Sequence, residues 1–522
     1  MHLSGSAQRL TTDRAAFVAT VLFAGATFWF APRPPMIDLP QHAAQVALWH
    51  DLLLGTSKWQ SLVYVNIFTP YLIGYSLALL LSFVMPVAAA LKLLLAGAYF
   101  GFVGSCVALR KRMDGDPRLD WLFIPGFFGF AYAFGFYTFL IAAPFGVWFI
   151  VLAHRYADRP TIALALGLFV ADLALFFTHG LMFLFANAIG GIFLLLRTRR
   201  LTGLLVAVLP YVAMGLWCLV YAQVRLRFEA SPSGDPIDFV WGWDLRRLNF
   251  LVYSIDWPTG ALAAAWELGK VLFFLLAAPV ILGARPNRRD ASVYVPFSVT
   301  LLIGVLVPIA LLNTWLLYQR FALFLLPFYA LIFRAPERAV PSAVRRLWLP
   351  LLCWTVLIVH TSRLLAFREE SASFEQVLAA AEPGQRALGL VLDAASTATG
   401  TLDVYAHFPL WYQAEKGGFV DFNFAGYLPQ VVRYKLDQAP PVYMSAGQPW
   451  QPFTKFDWGQ DQAELYRYFF VRSPTPLPPD YFPAGRCAPV LLKVAGPWSL
   501  FENRNCFSGR PPATTPPPAS AR

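Results

Sequence analysis

The sequence predicts a mainly α, polytopic membrane protein with a small α/β domain on its outer face. Three observations predict it. First, of 522 residues 57% are hydrophobic and only 14% are charged, more apolar surface than a soluble fold can cover. Second, Lys and Arg fall in short clusters between apolar runs, where the positive-inside rule places them. The net charge of +11 is therefore a topology signal, and no nucleic-acid partner is expected. Third, beyond residue 362 the apolar runs shorten, and Gly, Pro, Asp and aromatic residues mix in.

Taken in order, residues 1–14 carry Arg9 and Arg14 and are expected inside. The apolar run from Ala15 to Ala31 crosses outward and is long enough to stay as an anchor. Pro32, Pro34 and Pro35 end it, because proline cannot continue a helical hydrogen-bond ladder. The first outer loop, 33–69, carries Asp38, His42, His50 and Asp51, and His42–His50 has the spacing of a short helix on the membrane surface. Residues 70–85 are expected to lie shallow, since a crossing there would put Arg110-Lys111-Arg112 outside. Residues 87–109 then cross inward, with Lys92 near the outer end. Crossings alternate through 120–134, 138–153, 161–178, 181–196, 203–222, 260–283, 293–312, 321–333 and 347–361, with a polar loop at 223–258. The total is about eleven, with the N-terminus inside and the C-terminus outside. Three units result: a membrane domain (1–362), an outer α/β domain (363–509) and a disordered Pro-rich tail (510–522). In the outer domain, Val404–Tyr412, Tyr466–Val471 and Pro489–Val494 read as strands, and Ala387–Ala395 as a strand or a helix. Cys106, Cys218 and Cys353 sit in apolar runs as core residues. Cys487 and Cys506, outside the cytoplasm, are placed to form a disulfide.

Few residues have the chemistry for a reaction. Asp38 is the main candidate: a carboxylate within reach can accept the proton of an attacking hydroxyl. Its structural alternative is a helix N-cap, which Pro40 at an early helical position also suits. His42, four residues on, can orient Asp38, cap a helix, or pair with it on a divalent metal, though the ligands are few. Asp172 and His179 are seven apart and so share a helix face; the alternative for Asp172 is a bond to a neighbouring helix. Arg320 stands alone at an outer boundary, against the charge trend, and with Lys92 is a candidate for a lipid phosphate. The alternative for both is snorkelling to headgroups. Arg225, Arg227, Asp244, Arg246, Arg247 and Asp256, mixed with Trp241, Trp243, Tyr253 and Trp257, suit sugar stacking with hydrogen bonding or an interfacial aromatic belt. No phosphate-cradling glycine loop, serine nucleophile elbow or Cys-x-x-Cys pair is present, which argues against a nucleotide-driven pump, a serine hydrolase and a zinc ribbon.

The stretch Ile37-Asp38-Leu39-Pro40-Gln41-His42, just after the first crossing, resembles the first-loop acid of the GT-C superfamily of membrane glycosyltransferases. The crossing that ends in Arg110-Lys111-Arg112 and the turn Gly135-Phe136-Tyr137-Thr138 are similar too. Phe127–His154 with Thr178-His179 resembles a poorly characterised bacterial branch of such proteins. The resemblance implies an inverting hexosyl- or pentosyltransferase in the cytoplasmic (inner) membrane, its C-terminal domain periplasmic or extracellular. It implies a polyprenyl-phosphate sugar as donor and a glycan, lipid or protein acceptor. Asp38 would be the base, helped by His42. Arg320 would hold the phosphate, and Tyr137, His179, Lys92, Asp172 and Asp244 would line the substrate site. One departure stands out: many members carry a second acid at the turn matching 135–138, where this chain has Tyr137 and Thr138. Asp172 or Asp244 are the stand-ins. Two rival classes are kept: a transporter or flippase using Asp172, His179, Glu267 and Lys270, and a non-catalytic scaffold working with envelope-assembly proteins.

Overall fold

The computed structural model describes residues 2–198, 200–228, 239–256, 262–311, 314–336, 343–400, 403–426, 429–435, 438, 463–482, 484–485 and 487–508. The tail from 510, the Trp257 position and the side chains of Arg225 and Arg227 lie outside the described residues.

The chain is mainly helical. α1 (His2–Ala26) ends in a 3-10 turn before the prolines, and α2 (Leu39–Leu53) starts after Asp38 with Pro40 in its first turn, where no N–H is needed. Leu39 through Trp49 are all buried. The surface helix expected here is therefore an internal one, packed between the bundle and the C-terminal domain. α3 (Leu72–Ser82) has 11 residues, about 16 Å, too short to cross a bilayer. α4 (Val87–Arg112) follows after Pro86.

Residues 120–134 depart from the expected crossing. They form two 3-10 turns, Pro117–Phe123 and Pro125–Phe128, and then α5 (Phe130–Phe134). Pro117, Pro125 and Gly129 interrupt the ladder, and the broken backbone is buried against protein, which is where a membrane fold tolerates it. A second broken stretch, the 3-10 turn Gln319–Phe324, packs on the first; a Cβ on Gly126 would sit 3.2 Å from the Leu323 carbonyl.

The remaining helices are α6 (Tyr137–Asp158), α7 (Ile162–Thr178), α8 (Gly180–Arg197), α9 (Leu201–Ala207), α10 (Leu209–Phe228), α11 (Asn249–Val252), α12 (Leu262–Ile281), α13 (Val295–Leu306), α14 (Leu325–Leu331), α15 (Ala343–Ala380) and α16 (Leu410–Lys416). Among the described residues, 4 helical stretches are long and apolar enough to cross a membrane: α4, α6, α8 and Leu347–Ala380 of α15. Other apolar helices, α3 and α7 among them, are shorter, so length alone does not reach the expected count. The chain is a multi-pass membrane protein.

α15 has 38 residues, about 57 Å. It passes residue 362 without a break, so the last crossing and the C-terminal domain share one rigid helix. Against it packs a mixed sheet. With β1 (Val63–Val65), β2 (Arg386–Val391), β3 (Phe419–Asp421), β4 (Val432–Tyr434), β5 (Tyr468–Arg472), β6 (Val490–Ala495) and β7 (Trp498–Glu502), the order is β6-β7-β5-β2-β3. β5, β2 and β3 run parallel, and β6 and β7 antiparallel to their neighbours. Two expected strands form in register with β5 and β6. Val404–Tyr412 does not: it is a buried turn leading into α16 at Leu410, because Pro409 has no N–H for a ladder. Cys487 and Cys506 are joined as a disulfide with Cα atoms 5.3 Å apart. Cys106 and Cys353 are buried and free, and Cys218 is half-buried.

The segment between α1 and α3 clamps to this domain. β1 pairs antiparallel with β4. Arg33 forks onto Glu415 at 2.7 Å and also pairs with Glu375 on α15. Gln45 bonds the N–H (2.8 Å) and C=O (3.1 Å) of Val432 like an extra strand.

Candidate active site

Two sequence-distant stretches meet first. The N–H of Ile37 donates to Ala133 O (3.2 Å) and that of Asp38 to Phe134 O (2.9 Å). Gly135 closes α5 in the left-handed region, φ 85°. A Cβ there would lie 2.8 Å from the Asp38 nitrogen, so both the conformation and the close approach require glycine. This contact turns Asp38 inward.

Asp38 is 4% exposed and occupies the N-cap position of α2, yet its side chain makes no capping bond. Its Oδ1 is buried without a hydrogen-bond partner. Burial raises its pKa well above the usual carboxylate range, and the charge of Arg320 opposes the rise. A carboxylate oxygen buried without a hydrogen bond is costly, and such groups concentrate where ligands are handled.

Around it stand groups from five segments. His42, one turn along α2, bonds the Tyr75 hydroxyl through Nδ1 at 2.6 Å, and Tyr75 donates on to Gln430 Oε1 at 2.8 Å. Burial lowers the His42 pKa to about 3, so the ring is neutral. Arg320 is 9% exposed. It donates to the carbonyls of Trp315 (2.7 Å) and Leu316 (3.2 Å), and its guanidinium carbon lies 3.8 Å from the centre of the Phe136 ring. Phe136 belongs to the same turn as Gly135, so one turn seats both the acid and the cation. Tyr137 stacks near His42 at 5.4 Å and donates to Gly74 O at 3.4 Å. His179 ends α7 and caps α8, its Nδ1 accepting from Leu181 N at 3.2 Å. Its Nε2 is buried without a hydrogen-bond partner, and His42 and Arg320 are within electrostatic reach.

The C-terminal domain supplies the remaining wall. His407 Nε2 lies 3.6 Å from Asp38 Oδ1. Gln41, next to His42, bonds His407 Nδ1 at 3.1 Å and Phe422 O at 3.2 Å and accepts from Phe424 N at 2.8 Å. Of the three described non-glycine residues with left-handed φ, Leu316 and Phe422 both lend their carbonyls here, to Arg320 and Gln41. Strain of about 1–2 kcal/mol at each is a mark of sites where geometry is imposed.

Asp38, His42, Tyr137, His179 and Arg320 thus come together in one cluster. Three candidates do not. Lys92 donates to Ala31 O at 3.3 Å and sits 5.0 Å over the Trp29 ring, so it ties α4 to the end of α1. Asp172 accepts from Asn187 Nδ2 at 2.6 Å, a bond between α7 and α8. Asp244 caps the turn Leu245–Leu248, accepting from Arg246 N at 2.7 Å, and is exposed. Neither acid is spare, and neither supplies the cluster with a second carboxylate. Sequence reading missed His407, Gln41, Tyr75 and Gln430. The one available signal was a histidine beside Pro409 in an aromatic stretch, and nothing local ties it to Asp38. Among the described residues, no three His, Cys, Asp or Glu side chains gather as a metal site.

A cavity of about 690 Å³ in the C-terminal domain lies elsewhere, between residues 474–479 and β6–β7. Its wall has no titratable side chain.

No protein-family model matches this sequence, and no curated protein does. Among solved structures, the chain is similar over 94% of its length to arabinofuranosyltransferase AftD from Mycobacteria, with 14% identity and a TM-score of 0.47. It spans 40% of that transferase's chain.

Proposed function

We propose that this chain is a membrane glycosyltransferase that moves a sugar from a polyprenyl-phosphate donor to a glycan, lipid or protein acceptor at the outer membrane face. The observation that carries the reading is the buried Asp38 carboxylate, unbonded at Oδ1 and within electrostatic reach of Arg320, which stacks on Phe136 beside Gly135. The motif resemblance at residues 37–42 supports it.

The chemistry follows from those groups. The acceptor hydroxyl forms the new bond to the anomeric carbon, its proton passes to Asp38, and the bond from that carbon to the phosphate oxygen breaks. The raised pKa of Asp38 makes it a stronger base than an exposed carboxylate. The leaving group takes away negative charge, and Arg320, fixed by two carbonyls and Phe136, is a preorganised cation for it. Attack on the side opposite the phosphate would invert the anomeric centre. A lipid donor enters sideways from the bilayer, which needs no nucleotide site. The transporter alternative loses support, because Asp172 is bonded to Asn187 and Glu267 pairs with Lys270 in an exposed position.

The test is transfer by purified full-length protein in nanodiscs, offered a panel of radiolabelled polyprenyl-phosphate sugars and a cell-envelope extract. Label reaching the acceptor with the native chain, and not with Asp38→Asn, is the expected result. Transfer by both would remove Asp38 as the base; transfer by neither, across the host's own donors, would sink the reading.

A further inference from the structure

We infer that His407 is a positioning residue for Asp38, carried to the site by the C-terminal domain and held by Gln41 as the tautomer that presents an N–H to the carboxylate. This rests on the reading of Asp38 as the base.

The argument is one of donors and acceptors. The Gln41 side-chain oxygen accepts from the Phe424 N–H at 2.8 Å, which orients the amide. Its nitrogen, a donor only, then faces Phe422 O and His407 Nδ1. Nδ1 must accept, so in a neutral imidazole the proton sits on Nε2. Nε2 is the atom 3.6 Å from Asp38 Oδ1, the oxygen that has no other partner. Burial independently keeps the ring neutral, its pKa lowered to about 3. A neutral N–H beside a carboxylate steers the second lone pairs toward the incoming hydroxyl without neutralising the base as an imidazolium would. Gln41 directly precedes His42, so α2 holds the acid, its neighbour and the residue that sets the tautomer. The clamp of Arg33 on Glu375 and Glu415 and the β1–β4 pairing keep the two halves in register.

Among the described residues, the charge acting on Asp38 is that of Arg320; Tyr75, Tyr71, Tyr137, His42 and His179 are the other titratable groups of the cluster. Only Arg320 among them is charged at neutral pH, and it already favours the carboxylate. Removing an N–H donor from the carboxylate makes ionisation harder, so the pH at which the rate rises should move up.

Full-length protein in nanodiscs gives two independent readouts. In transfer from a polyprenyl-phosphate sugar panel, His407→Phe should lower kcat about 100-fold with donor KM within about twofold, and raise the acid-limb midpoint by about one pH unit. His407→Gln keeps an N–H and should recover about tenfold of kcat. Equal kcat and an unmoved acid limb in His407→Phe would overturn the inference while leaving glycosyl transfer intact. The second readout needs no substrate: side-chain 15N spectra of the seven histidines. They should show His407 neutral with its proton on Nε2, its signal moved by Asp38→Asn, and the tautomer reversed by Gln41→Glu, which puts an acceptor on Nδ1. A His407 proton on Nδ1 in the native chain, or no response to Asp38→Asn, would overturn the pairing even if no sugar in the panel is transferred.

Discussion

Two charged regions of this molecule obey opposite rules. At the basic end of the bundle, among the described residues, Asp116, Asp120, Asp158 and Asp290 each meet an arginine. Arg110 grips Asp120 with both nitrogens, at 2.9 and 2.8 Å. Arg118 holds Asp116 at 2.6 Å, Arg197 bridges Asp290 (2.5 Å) and Asp158 (3.1 Å), and Arg112 reaches Asp158 and His154. Around Asp38 the acid is bonded to nothing at Oδ1, and Arg320 spends its donors on carbonyls. Paired buried charges lock helices together; a buried carboxylate without a partner is a cost the fold tolerates only where something else is bound. Burial by itself does not separate scaffold from site: Asp116 is as buried as Asp38, and what differs is that Asp116 is held by an arginine.

The comparison can be broken experimentally. The largest effect expected is on Asp38→Asn: sugar transfer should fall roughly 1,000-fold, while the apparent melting temperature in detergent holds or rises, because Oδ1 makes no hydrogen bond to lose and a buried charge is removed. A lower melting temperature would make Asp38 a structural residue. Next is Asp120→Asn, which strands the half-buried Arg110 and should cost about 3 kcal/mol of stability, read as an earlier melting transition, with transfer by the surviving folded protein unchanged. If transfer per folded molecule drops instead, the division between scaffold and site fails. Arg320→Lys keeps the charge but loses the planar fork that stacks on Phe136, so donor KM should rise about tenfold with kcat less affected.

The smallest effect sharpens the picture. Transfer should rise with pH through a midpoint above the ordinary carboxylate range, since burial raises the Asp38 pKa and only the ionised acid is a base. His42 and His407, both lowered to about 3, are neutral on both sides of that rise and should add no limb of their own near neutrality. A midpoint near that of an exposed aspartate would mean that Asp38 is solvated during turnover.

How much of this was legible beforehand differs between particular residues. Asp38 could be singled out because an acid beside prolines, just after a long apolar run, is rare in a chain so poor in charge. Arg320 could be singled out because it breaks the charge pattern. Asp172 and Asp244 looked equally unusual, and only the Asn187 and Arg246 contacts reveal them as a helix tie and a cap. The stretch 120–134 read as a helix because apolar content alone was counted, whereas Pro125 and Gly129 break the ladder.

By itself, the sequence determined what depends on neighbours along the chain. Apolar runs longer than a bilayer need become membrane helices, prolines end them, and a lone acid lands in the loop that follows. The tertiary structure alone decided what depends on distant partners. Gln41 and His407 are 366 residues apart, and no local propensity records that one orients the other. Docking of the C-terminal domain on α2, the seating of Arg320 on Phe136 and the fit of Gly135 against Asp38 arise from packing across the fold. That packing turns a capping position into a buried carboxylate whose Oδ1 makes no hydrogen bond.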